Sequence, residues 1–267
     1  MTTWTLTLLA LFAPAAAQET LSVQNARCTM GLFGPAMAAG RTVLPGDVVT
    51  LTFDVDGLKR DSEGRCRFST TLQVEDSQGK VHFADTSDSP TVGSLQGVGR
   101  VRHAVQVTIA LNQTAGAYKL KLTVTDHLTK KDAKHEHTIT VGQPEFGLVR
   151  TQMMTDPNSR QPSAPVGIVG QVLSISTVAV GFQFGGQGKE GHLSVEVMLQ
   201  SADGKTLTEK PVKAEFANIP GGTTYLPLRF DVPLQKAGNY TLVVKATDQV
   251  TSKTATLSMP IRILETE

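Results

Sequence analysis

The chain has almost no net charge, with 25 lysines and arginines against 24 aspartates and glutamates in 267 residues. That balance excludes the attraction that draws basic proteins to nucleic acid or to anionic membranes. Cysteine is nearly missing: Cys28 and Cys66 are the only two, and their spacing is unlike the paired Cys of a zinc site. Aromatic residues make up only 5% of the chain. No apolar run reaches the ~20 residues that span a bilayer. The G-x-S-x-G elbow, the P-loop, the HExxH helix and the Gly-rich strand-to-helix turn are all missing. No segment after the N-terminus holds a helical period for three turns. The sequence therefore reads as an all-β, non-catalytic protein.

What is present begins at the N-terminus. A largely apolar run from Leu6 to Ala13 precedes Ala15-Ala16-Ala17, the small-x-small pattern of a signal-peptidase site. Residues 1–17 are expected to be a signal peptide, although the n-region has no Lys or Arg, which puts the start codon in question. Cys28 follows Asn25-Ala26-Arg27, too far from the cleavage site for a lipoprotein box. The expected location is periplasmic, extracellular or at the cell surface, with no membrane span. In such an oxidising compartment Cys28 and Cys66 are expected to form a disulfide. It would close a loop worth about 4 kcal/mol in the chain-entropy description.

The strongest signal is internal repetition. "AGAYKLKLTVTDHLTKKDA" (115–133) is answered by "AGNYTLVVKATDQVTSKTA" (237–255), nine of nineteen positions being identical without a gap. Pro45 to Leu58 answers Val169 to Phe182, Phe68 to Lys80 answers Leu193 to Lys205, and Val105 to Leu111 answers Leu228 to Leu234. Leu21 to Asn25 loosely matches Phe146 to Arg150. A repeat this long means two whole domains, expected at 18–142 and 143–267 with a linker at Gly142-Gln143-Pro144-Glu145.

Within each block apolar and polar residues alternate. Tyr118, Leu120, Leu122 and Val124 share one face, as do Tyr240, Leu242, Val244 and Ala246. Period two in Val, Leu, Thr and Tyr predicts half-buried strands, and about seven such runs per copy predict an antiparallel sandwich. Ala-Gly-x-Tyr enters one strand: Gly116 and Gly238 allow a corner, and Tyr118 and Tyr240 can hydrogen-bond back to it. Asp126 and Asp248 end that strand, where their oxygens can cap the next turn. On these residues the chain resembles the immunoglobulin-like superfamily, in the broad group of fibronectin type III and cadherin-like modules. More narrowly, it resembles secreted bacterial proteins built from two such repeats. The resemblance covers nearly all of the mature chain and implies two tandem Ig-like β-sandwiches; it specifies fold, not activity.

Few residues suggest chemistry. Asp54-Val55-Asp56-Gly57 falls short of a calcium loop, since the glycine comes too early and no closing glutamate follows. The histidines say more. His135 and His137 align with Leu257 and Met259, and His103 aligns with Leu226, so all three are expected to point inward. With His103 and His135 at one end of the sandwich, His103, His135 and His137 are a candidate Zn²⁺ or Cu²⁺ site, with His82 and His127 as spares. The alternative is a wet domain end in which the imidazoles bond loop carbonyls.

Loops offer the remaining binding surface: Asp56 to Arg65, Asp85 to Arg100, and Met153 to Pro165 in the second copy. The leading reading is an exported binding, adhesion or scaffolding protein for a protein or glycan ligand. An exported metal-binding protein and a periplasmic pilus chaperone are the alternatives. Near-identical domains are not expected of the chaperone.

Overall fold

The computed structural model describes residues 20–38, 40–89, 91–93, 100–185, 190–201, 203–207 and 211–265. The expected signal peptide and much of the 85–100 connection lie outside these residues. Strand forms where the alternation predicts it. Tyr118, Leu120, Leu122 and Val124 are buried while Lys119 between them is exposed. The first copy runs β1 (Ser22–Thr29), β2 (Thr42–Val43), β3 (Val48–Asp56), β4 (Arg65–Cys66) and β5 (Phe68–Asp76). It continues with β6 (Val81–Asp88), β7 (Val92–Gly93), β8 (Val101–Thr108), β9 (Gly116–Asp126) and β10 (Asp132–Val141). The second begins β11 (Gly147–Met154), β12 (Pro162–Ser163), β13 (Val166–Ile168), β14 (Val172–Val180) and β15 (Phe184–Gly185). It ends β16 (Glu190–Ser201), β17 (Val212–Ile219), β18 (Tyr225–Pro233), β19 (Gly238–Asp248) and β20 (Thr254–Leu264).

In the first copy the sheet β1-β3-β8 packs on β2-β10-β9-β5-β6, and β4 pairs with β7. In the second, β12-β11-β14-β18 packs on β13-β20-β19-β16, with β15 and β17 both on β16. Each copy has one parallel pair, β2 with β10 and β13 with β20, where the chain following the first strand crosses to the other sheet. Among the described residues no ladder joins the copies, and each encloses its own apolar core.

The repeat extends to backbone detail. Asn25 (φ 53°) and Arg150 (φ 52°) each sit in a bulge of the first strand, where the register shifts. Gly57 and Gly181 have positive φ, and a Cβ on either would strike the carbonyl oxygen of Thr20 or Glu145, at 2.6 and 2.2 Å. One expected match shifts. Ile109 exchanges backbone bonds with Gly46 and Asp47, as Leu234 does with Gly170 and Gln171. His103 faces Phe53 across the ladder, and Thr177, the counterpart of Phe53, faces Leu228. The counterpart of His103 is therefore Leu228, not Leu226. A slip of two residues preserves the inward pattern, so alternation could not detect it.

Candidate functional site

The three candidate histidines do point inward, but they do not meet. His103 lies between two phenylalanine rings, 5.7 Å from Phe53 and 5.3 Å from Phe68, edge-on to both. His135 and His137 stack on each other with ring centroids 6.4 Å apart. Topology separates the sets. β8 is the edge of its sheet that lies over β5, whereas β10 lies beyond β9 on the far side, roughly 10 Å across at the usual strand spacing. The expected His103–His135–His137 metal site is thus not assembled. Among the described residues no three His, Cys, Asp or Glu side chains are grouped to hold a metal ion. Of the wet-end alternative, the described residues show no loop carbonyl bonded to Nε2 of His135, which is buried. Of the spares, His82 Nε2 lies 2.7 Å from Asp76 and His127 Nε2 lies 3.4 Å from Asp88.

The expected disulfide is not formed: Cys28 and Cys66 are both buried free thiols. Cys28 is level with Leu51, two residues from Phe53 on one side. Cys66 lies two residues beyond Phe68 on the other, with its Sγ 3.5 Å from the Val92 carbonyl. The Phe53–His103–Phe68 cluster lies between their levels, whereas a disulfide needs Cα atoms within about 7 Å. Burial pushes the Cys28 thiol up to about 11 and raises Cys66 as well. Neither has the electropositive, accessible setting that makes a cysteine nucleophilic.

The corner and turn residues form one design built twice. Tyr118 donates its hydroxyl to the Thr114 carbonyl at 2.7 Å, and Tyr240 donates to Ala237 at 3.0 Å. Gly238, at φ 149°, leaves room for that ring, since a Cβ there would sit 2.9 Å from Tyr240 Oη. Asp126 is fully buried and accepts from Lys59 N (3.0 Å), Leu128 N (2.9 Å) and Thr129 Oγ1 (2.8 Å). Asp248 does the same with Gln183 N (3.1 Å), Val250 N (3.0 Å) and Thr251 Oγ1 (2.7 Å). These carboxylates cap their own turn and also tie it to the loop after β3 or β14. They are structural clamps. Asp54 and Asp56 are likewise occupied, by Arg102 with Asn25 and by Arg100. Arg102 foremost holds the Asp54 carboxyl below its ordinary range.

The site that sequence reasoning missed lies between the copies. The bulge at Arg150 frees its amide from the β11–β14 ladder, and that amide donates to Oδ1 of Asp47 at 2.7 Å. The same oxygen accepts from Val48 N at 2.8 Å. The Arg150 Nε donates to the Gly46 carbonyl at 2.7 Å, and its guanidinium lies 4.6 Å above the Tyr225 ring. Around this polar centre Met30 packs against the second core, and Leu44 sits against Gly147. Burial raises the Asp47 carboxyl above its ordinary value and outweighs its two amide bonds and the nearby Arg41 and Arg150. In the first copy the equivalent bulge residue, Asn25, bonds only within its own domain, to Asp54. No one-copy pattern could have shown this contact.

An apolar cleft of about 500 Å³ opens between β16 and β18 of the second copy. Val197, Leu199, Phe230 and Val232 line it, and Leu207 and Val212 stand exposed beside it. In the first copy Phe83 pairs with Val74, the counterpart of Leu199, and the matching space is about 170 Å³.

The described residues thus form, without a helix, two β-sandwiches in contact through a polar junction. No protein-family model and no curated protein matches the sequence. Among solved structures, the chain is similar to a red sea bream transglutaminase, at 10% identity and TM-score 0.28, over 94% of this chain and 32% of that one. It is similar to the C-terminal domain of the Streptococcus pyogenes antigen I/II-family protein AspA, at 9% identity and TM-score 0.31, over 91% and 99%. The C-terminal domain of the Streptococcus agalactiae AgI/II polypeptide BspA gives 10% identity and TM-score 0.29, over 91% and 99%. The chain spans about a third of the transglutaminase. Likenesses this distant carry no argument about activity or partner.

Proposed function

We propose that the mature chain is a non-catalytic exported protein whose paired Ig-like domains bind or scaffold a protein or glycan partner in the cell envelope. Export rests on the sequence of residues 1–17. The observation that carries the reading is the Asp47–Arg150 junction. A backbone amide, a side-chain donor and a ring contact all fix one orientation, so two sets of loops and sheet edges are held at a constant spacing. A ligand that spans both domains then binds without the entropic cost of aligning them. The buried thiols and the occupied carboxylates Asp54, Asp126 and Asp248 already have structural roles and leave those groups unsuited to catalysis.

The test is capture from the native cell envelope with residues 18–267 as bait, beside a bait carrying Asp47→Ala. A partner retained by the first and weakened by the second supports rigid two-domain recognition. No envelope component retained by either bait contradicts the binding reading, and substrate turnover by the purified protein contradicts the non-catalytic one.

A further inference from the structure

The six histidines fall into two groups. His82, His127 and His192 each lie beside a carboxylate, at 2.7 Å from Asp76, 3.4 Å from Asp88 and 2.9 Å from Glu215. His103, His135 and His137 face inward, and none has a hydrogen-bond or ion-pair partner among the described residues. All three of the second kind belong to the first copy. The second copy places Leu228, Leu257 and Met259 at those points, each buried to 3% exposure or less.

We propose that the first sandwich is the acid-responsive half of the molecule: below neutral pH its histidine-lined core loosens while the second sandwich stays packed. An imidazolium needs two acceptors for its two N–H groups. His103 would have two phenylalanine rings, Phe53 and Phe68, where those acceptors should be, and Nε2 of His135 would point a proton at no acceptor. A charge on one ring of the stacked pair would also oppose a charge on the other.

No neighbouring group compensates. Around His135 and His137, β9 presents Leu122 and Leu120, with Lys119 and Lys121 on the opposite face; β1 offers only Cys28 and the exposed Arg27. On β10 itself Lys134 and Glu136 point outward. Near His103, Arg102 is bonded to Asp54 and Arg100 to Asp56. On the facing sheet Asp126, level with Phe68 on β9, is already taken by Lys59 N, Leu128 N and Thr129 Oγ1; Asp88 lies beside His127, Asp85 lines the edge groove near Val105, and Glu75 and Asp76 end β5 far from Phe68.

The direction of the effect follows. Burial lowers the affinity of His103 for a proton, and burial, then the charge of His135, lowers that of His137. A histidine depressed in the fold stabilises it above the unfolded value of about 6.5, and that stability is lost as pH falls. Carboxylates held low, such as Asp54, respond only at lower pH, and Asp47, held high, acts in the opposite sense.

Hydrogen exchange of the full chain at pH 7.5 and 5.5, corrected for intrinsic rates, reads each half separately. Opening of β8 and β10 should rise by up to roughly tenfold per pH unit for each of His103 and His137, with β18 and β20 unchanged. Replacing His103→Leu, His135→Leu and His137→Met together should abolish the difference. An equal response in both halves, or an acid response surviving in that variant, overturns the proposal. Should the variant fail to fold, imidazole titration of the unaltered protein by NMR decides: His103 or His137 titrating at or above about 6.5 overturns it, and both titrating below supports it.

Discussion

Asp47→Ala removes one oxygen that serves two backbone amides, those of Val48 and Arg150. Each stranded donor costs about 1–3 kcal/mol when fully buried. Val48 and Arg150 are half-buried, so water recovers part of this, and the expected loss is about 2–3 kcal/mol. Asp47→Asn keeps an Oδ1 acceptor in the same place and should cost less than about 1 kcal/mol. The charge is not what the junction needs, because burial already raises the carboxyl above its ordinary value. A raised folded value means that folding favours the proton: stability from this group increases as pH falls through the folded value and levels off below the unfolded one. Calorimetry of residues 18–267 checks both variants. The only tryptophan, Trp4, lies in the segment expected to be removed, so heat is a better signal than fluorescence. The unaltered protein and Asp47→Asn should melt in one coupled transition, and Asp47→Ala in two. An asparagine variant as damaged as the alanine one would refute the acceptor argument, as would an alanine variant that loses nothing.

Four further outcomes follow. Cys28 and Cys66 should both alkylate after unfolding without reductant and react slowly in the native state; intact mass checks this, and a reductant-dependent shift of two protons would contradict it. Asp126→Ala and Asp248→Ala should each cost about 3 kcal/mol or more, since each strands two amides and a hydroxyl; urea titration measures it, and a loss below about 1 kcal/mol contradicts the clamp. Gly238→Ala should lower the melting temperature by several degrees through its φ of 149° and the Tyr240 contact, while Gly79→Ala, with open space around it, should show backbone strain alone. Fragments 18–142 and 143–267 should each fold cooperatively when expressed alone, as circular dichroism melts would show, though each less stably than in the whole chain.

Much of this architecture was legible in the sequence because burial in a sheet has period two. Tyr118 to Val124 and Tyr240 to Ala246 declare their buried faces by alternation alone, and the Ala-Gly-x-Tyr corner carries its own turn chemistry. The inward direction of His103, His135 and His137 was equally readable. Their separation was not, since alternation says which face a residue takes and nothing of which strand lies opposite. The disulfide expectation failed for a related reason: two cysteines in one domain can lie on either side of a phenylalanine layer that only the register reveals. The shift of the His103 counterpart from Leu226 to Leu228 reflects a longer corner before Gly116, which alternation tolerates. The junction depends on a bulge at Arg150 meeting a turn at Asp47, about a hundred residues apart, and no motif in the sequence links the two.

Residual dipolar couplings of residues 18–267 in a weakly aligned medium test the rigid pairing most directly. Amides of β1 to β10 and of β11 to β20 should fit one alignment tensor of a single magnitude, with the Arg150 amide strongly protected. Two tensors of different magnitude would mean that the domains reorient independently, and a fixed two-domain presentation would then be wrong.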